Sequence, residues 1–160
     1  MKTAVVYYSY EGNCALIAEL IKNALGADLI ELRTEEDKKR QGLSKYLWGG
    51  RQVMMKETPS LKPYGFNPEA YDLIIFGTPV WAGSPAPALH TFFKEKKINH
   101  KKIALFCCHA GGKGKVFDKI KDKLPGNTMV GEIDFINPAK QDRQEVLNKL
   151  TAWLKALAGL

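Results

Sequence analysis

Cysteine is sparse and odd in number: Cys14, Cys107 and Cys108 are the only three, and two of them are adjacent. That excludes a disulfide framework and fits a reducing compartment. No Cys-x-x-Cys occurs, so thioredoxin-type exchange has no support. Neither a Walker A sequence nor a Gly-x-Gly-x-x-Gly fingerprint is present, which removes nucleotide hydrolysis and a dinucleotide-binding Rossmann turn. Long apolar runs are missing too. Nothing approaches the ~18 residues of a membrane span, and Met1-Lys2-Thr3-Ala4 passes straight into a strand-like segment without the apolar stretch of a signal peptide. A cytoplasmic protein with no membrane partner is expected. Negative charge is also in short supply: 17 Asp and Glu against 24 Lys and Arg leave a formal charge of +7.

What remains is ordinary globular material, 45% hydrophobic and 26% charged over 160 residues. A chain of this length buries roughly 70% of the surface its unfolded form exposes, so it needs no metal or disulfide staple. The positive excess raises a nucleic-acid surface as a competitor. Its cations cluster in Lys38-Lys39-Arg40, in Lys94 to Lys102 and in Lys113 to Lys123. Acidic residues interleave two of these clusters and no aromatic stacking platform sits among them, which favours solvated helix faces and no nucleic-acid partner.

Ala4-Val5-Val6-Tyr7-Tyr8 is a short continuous apolar run, the mark of a strand buried on both faces of a parallel sheet. From Asn13 to Leu25 the period changes: Leu16, Ile17, Leu20, Ile21, Ala24 and Leu25 recur at helical spacing, and Gly26 closes the helix. Further strands are expected at Leu29–Leu32, Leu73–Phe76, Ile103–Cys108 and Met129–Ile136. In Ser84-Pro85-Ala86-Pro87, Ser84 reads as N-cap and the following Pro as N1 of a helix buried through Leu89, Phe92 and Phe93. A short helix spans Val116–Leu124. Asp142 and Glu145 read as a capping box for a last helix buried through Val146, Leu147, Leu150, Trp153, Leu154 and Leu157. The interval from Arg33 to Tyr71 is too long for a plain loop, so a helix around Leu43–Lys56, with Gly49-Gly50 inside it, and a Pro-containing return are expected there. Strand and helix alternate throughout, which gives one open, mostly parallel α/β sheet with helices on both faces.

In such a sheet, ligands bind beyond the carboxyl ends of the strands where the strand order reverses. Three loops qualify. Ser9-Tyr10-Glu11-Gly12-Asn13-Cys14 joins the first strand to its helix, where small hydroxyl-bearing residues and a helix N-terminus can converge on an anion. It also reads as a plain turn capped by Ser9 or Asn13. Thr78-Pro79-Val80-Trp81-Ala82-Gly83-Ser84 offers a Trp between small residues, suited either to stacking on a flat ligand or to covering the next helix. His109-Ala110-Gly111-Gly112-Lys113-Gly114 is glycine-rich and permits close backbone approach. Cys14 at a helix N-terminus is either a reactive thiolate or a buried filler, Cys107 and Cys108 read as core, and His109 is either a charge beside the ligand or a turn residue.

Together these loops resemble the flavodoxin family, specifically its short-chain flavodoxin-like members, over nearly the whole chain. Ser9-x-x-Gly12-Asn13-Cys14 is similar to the family's hydroxyl-rich phosphate loop, and Gly77-Thr78-Pro79-Val80-Trp81-Ala82-Gly83 to its second flavin loop. The resemblance implies a flavodoxin-like three-layer αβα sandwich, a single domain over residues 1–160, with a five-stranded parallel sheet in the order 2-1-3-4-5. It implies FMN as a non-covalent cofactor. Ser9, Tyr10, Glu11, Gly12, Asn13 and Cys14 would surround the phosphate. Thr78, Pro79, Val80, Trp81, Ala82 and Gly83 would contact the dimethylbenzene and N5 sides of the ring, and Cys108, His109, Ala110, Gly111 and Gly112 its pyrimidine edge. Two residues depart from the family pattern. Glu11 stands where the widest form of the motif has Thr, and a carboxylate beside a phosphate dianion is repulsive, so Glu11 must point outward for full affinity. Cys14 stands where Thr is usual.

Rivals on the same sheet fail on residues. A receiver domain needs an Asp at the end of the third strand, where Phe76-Gly77-Thr78 stands. A low-molecular-weight tyrosine phosphatase needs Cys-x5-Arg, but Leu20, Lys113 and Gly114 lie six residues beyond the three cysteines. The expected function is an FMN-binding electron-transfer flavoprotein that shuttles one or two electrons between redox partners. An NAD(P)H-dependent flavin or quinone oxidoreductase is the alternative, disfavoured by the missing Gly-Ser-x-x-x-x-Ser loop, and a basic nucleic-acid-binding module ranks third. The flavodoxins are mostly acidic around the flavin edge. This basic chain is therefore expected to meet redox partners with acidic docking surfaces.

Overall fold

The computed structural model of the chain describes residues 1–35 and 58–159. The helix expected around Leu43–Lys56, its Gly49-Gly50 pair and the Lys38-Lys39-Arg40 cluster lie outside the described residues. β1 (Thr3–Tyr8), β2 (Asp28–Leu32), β3 (Leu73–Trp81), β5 (Lys102–His109) and β6 (Thr128–Ile136) form a parallel sheet in the order β2-β1-β3-β5-β6. A two-residue strand, β4 (Ser84–Pro85), pairs antiparallel with β3. Without that addition, the order is the 2-1-3-4-5 implied by the resemblance. The helices are α1 (Asn13–Leu25), α2 (Pro87–Glu95), α3 (Val116–Lys121) and α4 (Arg143–Ala158). Among the described residues no helix is long and apolar enough to cross a membrane.

The alternation of side chains along each strand creates two cores. Val6, Tyr8, Ile74, Phe76 and Leu105 meet Leu89 and Phe92 of α2 and Val116, Phe117 and Ile120 of α3. On the opposite face, Val5, Tyr7, Ile75, Ala104 and Phe106 meet Ile17 and Ile21 of α1 and Val146, Leu150, Leu154 and Leu157 of α4. Each fully buried Leu, Ile or Phe contributes about 1.5–3 kcal/mol of transfer free energy. The expected capping of α4 is present in one direction, Asp142 accepting from the Glu145 N–H at 3.1 Å. Leu147, Trp153 and Phe93 are half-buried rather than core.

Two expectations need correction. β3 does not stop at Phe76 but runs to Trp81. Past Gly77 it has lost its β1 neighbour and pairs with β5 through Thr78↔Cys107 and Pro79↔Cys108, then with the short β4 through Val80↔Pro85 and Trp81↔Ser84. On such a local edge a proline removes no essential ladder bond. Nor does Ser84 cap α2. Ala86 occupies the N-cap and Pro87 the first turn, because Ser84 is drawn into β4 opposite Trp81 and the Ala86 N–H donates to Thr78 Oγ1 at 2.9 Å.

Candidate functional site

The carboxyl ends of β1, β3, β5 and β6 open on one cleft, partly open to solvent. Its first wall is the turn from β1 into α1. Gly12, at φ +101°, occupies the N-cap of α1, a backbone conformation with little penalty only for glycine. Ser9 Oγ accepts from the Ala15 N–H at 3.1 Å, and Asn13 Oδ1 accepts from the Ala139 N–H at 3.1 Å, tying α1 to the turn after β6. Both side chains expected as caps therefore bond amides, yet neither caps at the N-cap itself. The first turn of α1 itself carries no acidic residue, so the positive end of its dipole is available to an anion. Glu11 is exposed. Cys14 is only 1% exposed, and burial first, then the adjoining Cys108 thiol, pushes its pKa well above the ordinary thiol range. Burial outweighs the helix dipole here, and Cys14 is a protonated filler. Burial likewise raises the Cys107 thiol.

The second wall is aromatic. Trp81 packs edge-on against Tyr8, with ring centroids 5.8 Å apart, and against Tyr10 at 5.7 Å. Thr78 is fully buried and serves the backbone: its hydroxyl donates to the Pro79 carbonyl at 2.8 Å and accepts from Ala86. Beyond Trp81, the β3 turn lies directly on the loop after β5. A Cβ placed on Gly114, itself at φ +52°, would sit 2.8 Å from the Gly83 Cα. The two ring-side loops thus touch backbone to backbone.

At the third wall, His109 closes β5 with its side chain 6% exposed and its Nε2 2.8 Å from Asp134 Oδ2. Its Nδ1 is buried with no hydrogen-bond partner among the described residues. The His109 hydrogen bond, helped by Lys149 and Lys113, holds the Asp134 carboxyl below the usual carboxylate range against a weaker opposing effect of burial. Lys149 Nζ also donates to the Asp134 carbonyl at 2.5 Å, and Lys113 Nζ lies 3.8 Å from Oδ1. His109 is therefore a structured member of the wall rather than a solvated turn residue.

Of the candidates read from sequence, Ser9, Tyr10, Glu11, Asn13, Cys14, Pro79, Val80, Trp81, Cys108, His109 and Ala110 line the cleft. Gly12, Thr78, Ala82, Gly83, Gly111 and Gly112 are not among its lining residues; Gly12, Thr78 and Gly83 instead shape the backbone behind it. Asn137 lines the cleft and was missed. It sits at φ +41° just past β6, with its N–H donating to the His109 carbonyl at 2.9 Å. The signal available was Asn137-Pro138 at the carboxyl end of the last strand, on the same sheet edge as the other loops. A second hollow beside the β1–α1 turn adds Glu31, Arg33, Thr34 and Lys62. Arg33 is paired there with Glu31 at 2.6 Å.

A doubly wound parallel sheet with this order, opening a cleft between the β1–α1 turn and an aromatic β3 end, defines a flavodoxin-like α/β protein. The Flavodoxin family model matches residues 2–156, and the chain belongs to that family. A flavoprotein from Lactobacillus acidophilus NCFM, solved in complex with FMN, is similar at 25% identity and TM-score 0.72, over 96% of this chain and 98% of that one. Oxidised flavodoxin 2 from Bacillus cereus is similar at 21% identity and TM-score 0.63, over 99% of both chains. No curated protein gives a significant match.

Proposed function

We propose that the protein binds FMN non-covalently in this cleft and passes one or two electrons between redox partners. The observation that carries the reading is the convergence on one cleft of the Ser9–Cys14 turn, Trp81 and the Cys108–Ala110 end of β5. The residues fit the group. Of the first-turn amides of α1, that of Ala15 donates to Ser9 Oγ, while those of Asn13 and Cys14 have no intrahelical acceptor and would serve a phosphate together with the Ser9 hydroxyl. Glu11 is exposed and lies on the cleft rim, so its carboxylate has to turn to solvent when a dianion binds. Trp81, braced by Tyr8 and Tyr10, supplies the flat apolar surface that a fused ring demands, and His109 and Ala110 offer polar groups at the opposite edge. When bound, the flavin supplies the redox chemistry. The chain's part is to anchor the phosphate, to keep water from one ring face and to set the charge around it.

Titration of FMN fluorescence with purified protein tests this. Quenching that saturates at one flavin per chain, with a visible flavin spectrum, is expected. Protein that neither copurifies with FMN nor takes it up refutes the reading. Steady NAD(P)H oxidation by the loaded protein, with a quinone or free flavin as acceptor, would replace carrier with reductase.

A further inference from the structure

The cations left over from the cleft are not evenly spread. His90 on α2 is half-buried, and burial first, then Lys123, Lys119 and Lys94, lower its pKa below the usual histidine range. Lys94 stands on α2, Lys119 on α3 and Lys123 just past the end of α3. Three neighbouring carboxylates are engaged elsewhere. Glu95 accepts from the Tyr64 hydroxyl at 2.6 Å, and Asp118 and Glu132 pair with Lys121 at 3.1 and 2.8 Å. Among the described residues, no salt bridge uses Lys94, Lys119 or Lys123. Lys94 lies one helical turn beyond His90 on α2, and Lys123 one turn beyond Lys119 at the end of α3, two helices that pack on the same face of the sheet. With Asp122, the C-cap of α3, as the adjoining carboxylate, positive charge stays in excess there and costs self-repulsion unless something anionic comes to it.

This face adjoins the cleft. Lys119 Nζ donates to Ser84 Oγ, and Ser84 pairs across the β3–β4 hairpin with Trp81, which lines the cleft. The Gly83–Gly114 contact fixes the same junction. A partner seated on these cations would bring its own redox centre to the rim of the proposed flavin site. The grouping is a compact cluster on two helices rather than a track of cations along a groove, which is what a nucleic-acid backbone would require.

We infer that the α2–α3 face, with Lys94, Lys119 and Lys123 as its cations, is the docking surface for an acidic redox protein that exchanges electrons at the adjoining cleft. The transfer makes and breaks no bond: an electron leaves the reduced flavin for the partner's oxidised centre, or travels the other way. The inference rests on the FMN reading for what is exchanged, but not for where the partner binds. Rim charges of this kind act chiefly on encounter rate and salt dependence.

Two measurements test it. The first needs no flavin: the His90 imidazole is followed by NMR while poly-L-glutamate is added, with duplex DNA at equal charge and ionic strength as the comparison. Bound carboxylates offset the ammoniums, so polyglutamate should raise the His90 pKa. Lys94→Glu/Lys123→Glu, at two exposed positions, should raise it in the free protein and abolish the response. No movement of His90 with polyglutamate overturns the proposal, and so does an equal or greater response to DNA. The second follows oxidation of reduced, FMN-loaded protein by ferricyanide, a trianion, and by tris(phenanthroline)cobalt(III), a trication. The double variant should slow the first about tenfold and speed the second, with the salt dependence of each flattened. Unchanged rates overturn the redox half of the proposal. Protein that takes up no FMN refutes the flavin reading instead, and the His90 measurement still decides the docking surface.

Discussion

On one side of the cleft, the β1–α1 turn is held by polar groups, Ser9 bonding the Ala15 amide six residues on and Asn13 that of Ala139. On the other side, the ends of β3 and β5 are held by ring edges and by two glycine backbones in contact, Gly83 and Gly114. Each wall contains a glycine at positive φ, but they differ in kind. Gly12 has nothing within 4 Å of where a Cβ would sit, whereas Gly114 has the Gly83 Cα at 2.8 Å. The anion-side wall depends on a backbone conformation, and the ring-side wall depends on that plus close packing.

Replacing each glycine by alanine separates the two. Gly114→Ala should lose about 2–5 kcal/mol, the sum of left-handed strain and overpacking, and should splay the ring-side loops enough to weaken FMN binding. Gly12→Ala should cost only the strain, about 1–2 kcal/mol. Urea denaturation of both variants checks this, and equal losses would erase the distinction between the walls. Next in size is Trp81→Ala, expected to weaken FMN binding about tenfold, or about 1.4 kcal/mol, with altered flavin potentials; an unchanged dissociation constant assigns Trp81 to covering α2. Ser9→Ala should cost about 1 kcal/mol of stability, as loss of one hydrogen bond to a helix amide does, and should also weaken FMN binding. A stability loss with FMN affinity intact would make Ser9 purely structural.

The smallest expected effect is at the third wall. The folded pKa of Asp134 is depressed below its ordinary 3.8. Its contribution to stability is therefore complete well above pH 3.8 and is lost as the pH falls below that value through the folded pKa. Because Asp134 is partly exposed, solvent screening keeps the effect modest. Acid unfolding of Asp134→Asn should show a shallower decline below pH 4 than the parent protein, and superimposable curves would show that the His109 pairing adds nothing to stability.

Local patterns were legible wherever the physics is local. The strand runs follow from continuous apolar stretches, α1 from its 3.6-residue period and its closing Gly26, and the α4 start from Asp142. The anion-side turn was legible because its residues are consecutive, although one of its bonds, from Ala139 to Asn13, closes across the fold. The end of β3 was not legible, because Gly77-Thr78-Pro79 looks like a turn until β5 is known to lie beside it. Ser84 was misread for a related reason, its place being set by Trp81 across a hairpin.

The sequence by itself determined an open parallel α/β sheet, the loops that meet at its carboxyl edge and an excess of positive charge. Periodicity, turn residues and composition are properties of neighbouring positions. It took the tertiary structure to decide that Asn137 completes the cleft, that Cys14 is a buried thiol against Cys108, and that α2 and α3 bring Lys94, Lys119 and Lys123 to the same side of the sheet as His90. Each of those facts joins segments far apart in the chain. Burial and charge act through space, so a net charge of +7 takes on a location only once the helices carrying it are packed.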